Sequence, residues 1–167
     1  MPDGSGPNGP GYDEDFFAWT QYQAEVLRTM PCDDNRFDRE HVADEIEDLG
    51  KSERRAAHSE VRRILEHFLK LAHSPASDPR SDWMVSIANA RAELEEMLTA
   101  TLRRDVEAEL PRLYARARDV AEVGLVKYGE ADVAARFPAR CPYALDQILA
   151  IGWYPDPPPA ATAQEDG

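Results

Sequence analysis

The chain has 167 residues, about the size of one domain, and can bury a core without disulfides or a structural metal. Its 32 acidic against 19 basic side chains leave a formal charge of −13, which repels phosphate backbones and argues against a general nucleic-acid binder. Two cysteines, Cys32 and Cys141, make no disulfide framework, and no apolar run approaches the roughly 18 residues of a membrane span.

The opening MPDGSGPNGPG and the closing PDPPPAATAQEDG are Gly/Pro-rich loop composition, with too few apolar groups to offset ordering entropy. Residues 1–11 and 155–167 are therefore expected to be tails around a helical domain spanning 12–154. The N-terminus lacks the charged and apolar regions of a signal peptide, so a cytoplasmic location with reduced thiols is expected.

A first helix is expected over Asp13–Met30, with Asp13, Glu14 and Asp15 at the positive end of its dipole and Pro31 stopping it. Phe16, Trp19, Gln23, Val26 and Met30 share one apolar stripe, whereas Phe17 lies about 100° away from Phe16 around the helix. A second helix starts with Asp38 as N-cap and His41 at N3. Its expected seam is Val42, Ile46 and Leu49, then Ala57, Val61, Ile64, Leu65, Phe68, Leu71 and Ala72, up to a Ser74–Pro79 turn. Gly50 costs roughly 1 kcal/mol inside a helix and suggests a kink or break.

Ser81 can cap a third helix carrying Trp83, Ile87, Ala90, Leu94, Met97 and Leu98, and Thr99–Thr101 suggests a bend. A fourth stretch, Leu102–Val123, carries Val106, Leu110, Leu113, Tyr114, Ala117 and Val120, with a restart at Pro111 and an end at Gly124 and Gly129. Pro142–Ala150 reads as a short last helix before Trp153 and Tyr154. The expected fold is all-α: an antiparallel helical bundle of about four long helices plus a short C-terminal helix.

Four segments resemble the bacterial family named domain of unknown function twenty-nine: YDEDFFAWTQYQAEVLR (Tyr12–Arg28), EIEDLGKSERR (Glu45–Arg55), ILEHFLKLAHSP (Ile64–Pro75) and CPYALDQILAIGWYP (Cys141–Pro155). They cover nearly all of the helical domain in the expected order. The resemblance implies an all-helical fold and a bacterial origin, and it implies no activity. Thr99–Arg103 departs from the family's more usual proline-containing break.

Four constellations bear on function. His41, Asp44, Glu45 and Asp48 share one helical face, but with Val42, Ile46 and Leu49 turned inward they read as a solvated acidic face rather than metal ligands. Lys51, Arg54, Arg55, His58 and Arg62 form a cationic stripe, which either pairs with the chain's own carboxylates, as Glu47 with Lys51, or receives an acidic partner, a phosphate or RNA, although no aromatics are interleaved with it for base stacking. With Pro142 at N1, Cys141 would occupy a helix N-cap, where a thiol is acidified; the alternative is a buried, inert cysteine closing the bundle. Tyr12, Phe16, Phe17, Trp19 and Tyr22 are too many aromatics for one core face, so Phe17 is covered either by the Trp153–Tyr154 segment or by another molecule.

No Gly-rich phosphate loop, G-x-S-x-G, H-E-x-x-H or paired CxxC occurs, and no cofactor or metal is implied. The expected role is a non-catalytic helical protein-interaction module for a protein partner or a second copy, with Phe17, Trp153, Tyr154, Lys51, Arg54, Arg55 and Arg62 as the candidate surface. The alternative is an enzyme or nuclease-like factor using the helix carboxylates or Cys141. Convergence of His41, Asp44, Glu45 and Cys141 in one cleft would favour the enzyme.

Overall fold

The computed structural model describes residues 9–159 and is all-α, with six helices and no extended strand among the described residues. The helices are α1 (Phe16–Thr29), α2 (Arg39–His73), α3 (Arg80–Met97), α4 (Ala100–Lys127), α5 (Ala131–Ala134) and α6 (Leu145–Leu149). The outer parts of the expected tails, residues 1–8 and 160–167, lie outside the described residues. Of the remainder, Gly9 lies on the Tyr22 ring, and Gly11 accepts a 3.0 Å hydrogen bond from the Asp15 amide.

The chain forms two compact units: residues 1–59 with 96–108, and residues 60–95 with 109–167. In the first unit, Asp15 caps α1 by accepting from the Ala18 amide at 2.9 Å, and its second oxygen accepts from the Thr101 amide of α4 at 3.2 Å. One carboxylate thus satisfies free amides at the starts of two helices. Burial pushes its pKa up, but the donors from Ala18, Thr101 and Thr99 outweigh burial and hold it below the ordinary value.

α1 lies antiparallel to α2. Gln21 reaches the Glu47 carbonyl, and Arg28 bonds both Asp44 and Glu47 at 2.6 and 2.8 Å. The two helices approach through small residues. Thr20 and Ala24 of α1 are fully buried, and so are Ala43 and Ala57 of α2, with Gly50 midway between them. A Cβ at Gly50 would overlap the Thr20 hydroxyl oxygen. The expected break there does not occur; α2 runs through Gly50 uninterrupted because the missing side chain is where α1 sits.

This packing corrects two expected seams. Val42 and Leu49 are exposed and Ile46 is half-buried, since the inward face of early α2 is chosen by size and not by hydrophobicity. On α1, Val26 and Met30 are exposed, while Phe17 lies half-buried on the same face as Thr20 and Ala24. Phe16 and Trp19 instead stack at 5.9 Å, each with its edge or face against Tyr12.

The second half of α2 buries Val61, Ile64, Leu65, Phe68, Leu69 and Leu71 as its spacing requires, and α3 adds Ile87, Ala90 and Leu94. α3 starts at Arg80, one residue before the expected cap Ser81, with the Trp83 amide on the Pro79 carbonyl at 3.1 Å. Thr99 is the break expected before α4, and its hydroxyl accepts from Leu102. α4 passes through Pro111 without a restart; the proline is exposed, so the Glu107 carbonyl it leaves free can be hydrated. The helix also continues past Gly124. It ends at Gly129, whose φ of 83° fits the C-terminal turn made by Gly129 N–H on Val126 and Glu130 N–H on Leu125. Val120 faces outward, and Ala121 and Leu125 complete the buried seam.

Alanine at Gly50 gains roughly 1 kcal/mol of helix propensity, yet its methyl must displace Thr20. Gly50→Ala is therefore expected to lower stability by about 1–3 kcal/mol in urea unfolding, with a smaller loss in a Thr20→Ala background. A stabilised Gly50→Ala protein would contradict the close approach.

Asp15→Ala removes two caps and should cost about 1–3 kcal/mol at neutral pH. Because the folded pKa is depressed, the contribution of Asp15 is present above the unfolded value of about 3.9 and is lost as pH falls through the lower folded value. The stability gap between wild type and variant should accordingly close below about pH 4, read from unfolding curves at stepped pH.

Candidate functional site

The candidates from the sequence are divided between the two units, and most of the cations pair with neighbouring carboxylates. Lys51 lies 3.4 Å from Glu47 and 3.3 Å from Asp48 on its own helix. Arg54 and His58 both turn to Asp105 of α4, at 2.8 and 2.7 Å. Burial works against ionisation of Asp105, but the Arg54 and His58 bonds hold its pKa below the usual range. Arg55 is exposed, and Arg62 is half-buried with its Nε lacking a hydrogen-bond partner. Most of the cationic stripe is thus occupied by the chain's own carboxylates.

The acidic face is likewise divided into pairs. His41 Nδ1 bonds Asp38 at 2.6 Å beside the cap of α2, and Asp44 bonds Arg28. No group of three His, Cys, Asp or Glu side chains placed to hold a metal occurs among the described residues.

Cys141 belongs to the second unit and does not cap a helix, which corrects the expected N-cap position. α6 begins four residues later at Leu145, with Ala144 as its N-cap, and the Cys141 thiol lies 3.4 Å from the Tyr143 carbonyl. Burial pushes this thiol up, away from a nucleophilic thiolate. Tyr114 of α4, in the same unit, is buried and donates to the Pro138 carbonyl at 2.7 Å, with its pKa pushed up to about 12 by burial.

Trp153 and Tyr154 are half-buried against Arg91 and Phe68. The Trp153 ring meets Phe68 at 5.3 Å, and the Arg91 guanidinium lies 5.5 Å from the Phe68 ring and 5.4 Å from the Tyr154 ring. Arg91 is itself buried, donating to the carbonyls of Ile148 at 2.8 Å, Gln147 at 3.2 Å and Trp153 at 2.9 Å. Arg91 was not among the residues expected to matter; its one signal in the sequence is its place between Ile87 and Leu94 on the apolar seam of α3.

A different surface emerges on the α1–α2 pair. Val26 and Met30 of α1 and Val42 and Leu49 of α2 lie off the face shared by Thr20, Ala24, Ala43 and Gly50, on the side away from the Arg28 ion pairs. Val26, Met30, Val42 and Leu49 are exposed there, Leu49 by 55%, with Trp19 and Ile46 half-buried. The acidic groups on this flank are Glu45 and Glu53; at its Met30 end Arg39 donates to the Met30 carbonyl at 2.6 Å and lies 3.3 Å from Glu40. Glu53 is half-buried with no hydrogen bond or ion pair among the described residues, and burial, then the nearby Asp15, raises its pKa.

The fold is that of an α-helical protein. The chain belongs to the family described as domain of unknown function DUF29, whose pattern matches residues 12–154. It is similar to the crystal structure of an α-helical protein of unknown function from Rhodospirillum rubrum. The two share 27% identity over 87% of this chain and 93% of that one, with a TM-score of 0.76. No curated protein matches the chain. No helix among the described residues is long and apolar enough to cross a membrane.

With its thiol half-buried and its pKa raised, Cys141 should react with iodoacetamide more slowly than the exposed Cys32. Mass spectrometry of timed samples should show Cys32 modified first at pH 7, and faster modification of Cys141 would revive a nucleophilic role.

Proposed function

We propose that the protein is a non-catalytic helical interaction module that docks a basic amphipathic helix of a partner protein on the α1–α2 flank. The observation that carries this reading is the exposed apolar strip of Val26, Met30, Val42 and Leu49. Two antiparallel helices side by side offer a shallow groove for the apolar face of a third, the helix-in-groove mode of recognition. The occupant's charge follows from Glu45 and from Glu53, a half-buried acid without a cation of its own. A second copy would set these carboxylates against their equivalents and bring together two chains of charge −13.

This moves the interaction surface expected from the sequence. Phe17 supports it from the inner face of α1, and Lys51 and Arg54 are engaged with carboxylates of the chain itself. The enzyme alternative draws no support from His41 and Asp44, which sit in separate pairs, or from Cys141, whose thiol is pushed up.

The test uses a designed Leu/Lys amphipathic peptide of about 18 residues and its Leu/Glu counterpart, with Leu49→Asp as the variant. The added negative charge of Leu49→Asp would strengthen a purely electrostatic attraction to the Lys peptide. Docking on the apolar strip predicts the opposite: at least about tenfold weaker binding by titration calorimetry, with unchanged helicity. Equal or tighter binding to the variant, binding of the Glu peptide, or a wild-type homodimer abolished by Leu49→Asp would overturn the reading.

A further inference from the structure

The apolar strip on the α1–α2 flank carries its acids in a fixed order along α2. Glu45, Leu49 and Glu53 follow one another at four-residue intervals, so they form a single ridge of the helix with the leucine in the middle. At roughly 1.5 Å of rise per residue, the two carboxylates stand about 12 Å apart along the axis, a little over two turns. Leu49 between them is the most exposed apolar side chain of the strip.

The two acids differ in their surroundings. Glu45 is exposed, and the His41 ring one turn before it is held by Asp38 at 2.6 Å. Glu53 is half-buried, has no hydrogen bond or ion pair among the described residues, and lies near Asp15. The Asp15 oxygens accept from the Ala18 and Thr101 amides, so this neighbour adds negative charge and no donor. The basic side chains of early α2 are engaged elsewhere: Arg39 with Glu40 and the Met30 carbonyl, Lys51 with Glu47 and Asp48, Arg54 with Asp105. A helix that covers Leu49 also strips water from half-buried Glu53, and a carboxylate losing its water must gain a donor. Exposed Glu45 keeps its water and offers the weaker, screened kind of attraction.

We propose that the flank selects its partner helix by the spacing of two cations, lysine or arginine, about seven or eight residues apart, with an apolar residue midway between them seated on Leu49. This rests on the reading of the flank as a helix-docking groove and adds the order of side chains that the partner carries. A helix laid along the groove runs with α2, so residues two turns apart on it span about 10–12 Å and meet both acids at once. Cations one turn apart span only about 5–6 Å and reach one acid. Glu53 carries the larger share of the selectivity, because a desolvated charge pair discriminates more strongly than one at the wet rim.

Two helical peptides of about 18 residues and identical composition test the spacing, each with two lysines and a leucine strip on a neutral Ala/Gln background. In one the lysines stand about eight residues apart with a leucine midway; in the other they stand about four apart at one end of the strip. Titration calorimetry on the full chain should give a Kd at least about fivefold lower for the first. Glu53→Gln should remove most of that preference and Glu45→Gln a smaller part, with helicity unchanged in circular dichroism. Should Glu53→Gln fail to fold, the narrowing by Glu45→Gln, whose side chain is exposed, still decides the matter. Equal affinity of the two peptides, both weakened by Leu49→Asp, overturns the spacing rule and leaves the docking groove standing. A preference that persists undiminished in the glutamine variants overturns it as well. Binding of neither peptide, or unchanged binding to Leu49→Asp, removes the groove and the spacing rule together.

Discussion

The first unit depends on how closely α1 can approach α2. With Ala43, Gly50 and Ala57 on one face of α2, the backbone is left open enough for Thr20 to sit against Gly50. That approach fixes the rotation of α1 about its own axis. Phe17, Thr20 and Ala24 turn inward, and Val26 and Met30 must emerge on the flank. Larger residues at positions 43, 50 and 57 would hold the helices further apart and admit the bulkier stripe. Dispersion and burial favour contact wherever it can be made, so closeness through small residues competes well with bulk at a distance. The exposed strip is therefore a consequence of the packing. Val42 and Leu49 are hydrophobic residues on the side of α2 that α1 leaves uncovered.

The second unit solves a different problem around Arg91. A buried guanidinium without a carboxylate is costly unless its donors are met; here three backbone carbonyls take Nε and Nη2 and two aromatic rings lie against the group, while Nη1 has no hydrogen-bond partner among the described residues. Two of those carbonyls, of Gln147 and Ile148, lie near the C-terminal end of α6, where orphan acceptors and the negative end of the helix dipole favour a cation. α6 has five residues and could not persist alone, and Arg91 gives it a fixed anchor. The same side chain explains why Trp153 and Tyr154 fold back toward Phe68 and do not form a free aromatic surface.

Long-range regularity was the part of the molecule most legible in the sequence. The late seam of α2, the seam of α3 and the stops at Pro31, Thr99 and Gly129 follow from periodicity and from backbone chemistry local to each residue. What the sequence concealed depends on partners. Val42, Ile46 and Leu49 outrank Ala43 and Gly50 on any hydrophobicity scale, and only the presence of α1 shows that size decides. Pro111 is a breaker in isolation but tolerable where its side of the helix is wet. Cys141-Pro142 carries the local signature of a helix start, yet the chain stays extended until Leu145. Arg91 reads as a surface charge until the α6 carbonyls are placed against it.

Charge shapes the proposed surface as much as packing does. The acidic excess could have been spread evenly, with each basic group left to attract its own partner. Instead Arg28, Lys51, Arg54 and Lys70 are each engaged by carboxylates within their own unit. Such exposed or half-exposed pairs contribute little stability individually. Their larger effect is to cancel positive charge where it stands and leave the remaining carboxylates to set the field. Glu45 and Glu53 then border an apolar strip. The surface combines unneutralised acid with apolar area, and a molecule that satisfies both needs must be cationic and partly greasy. A small inorganic cation meets the first need but leaves the strip wet, whereas an acidic or neutral partner leaves the carboxylates to be desolvated without compensation.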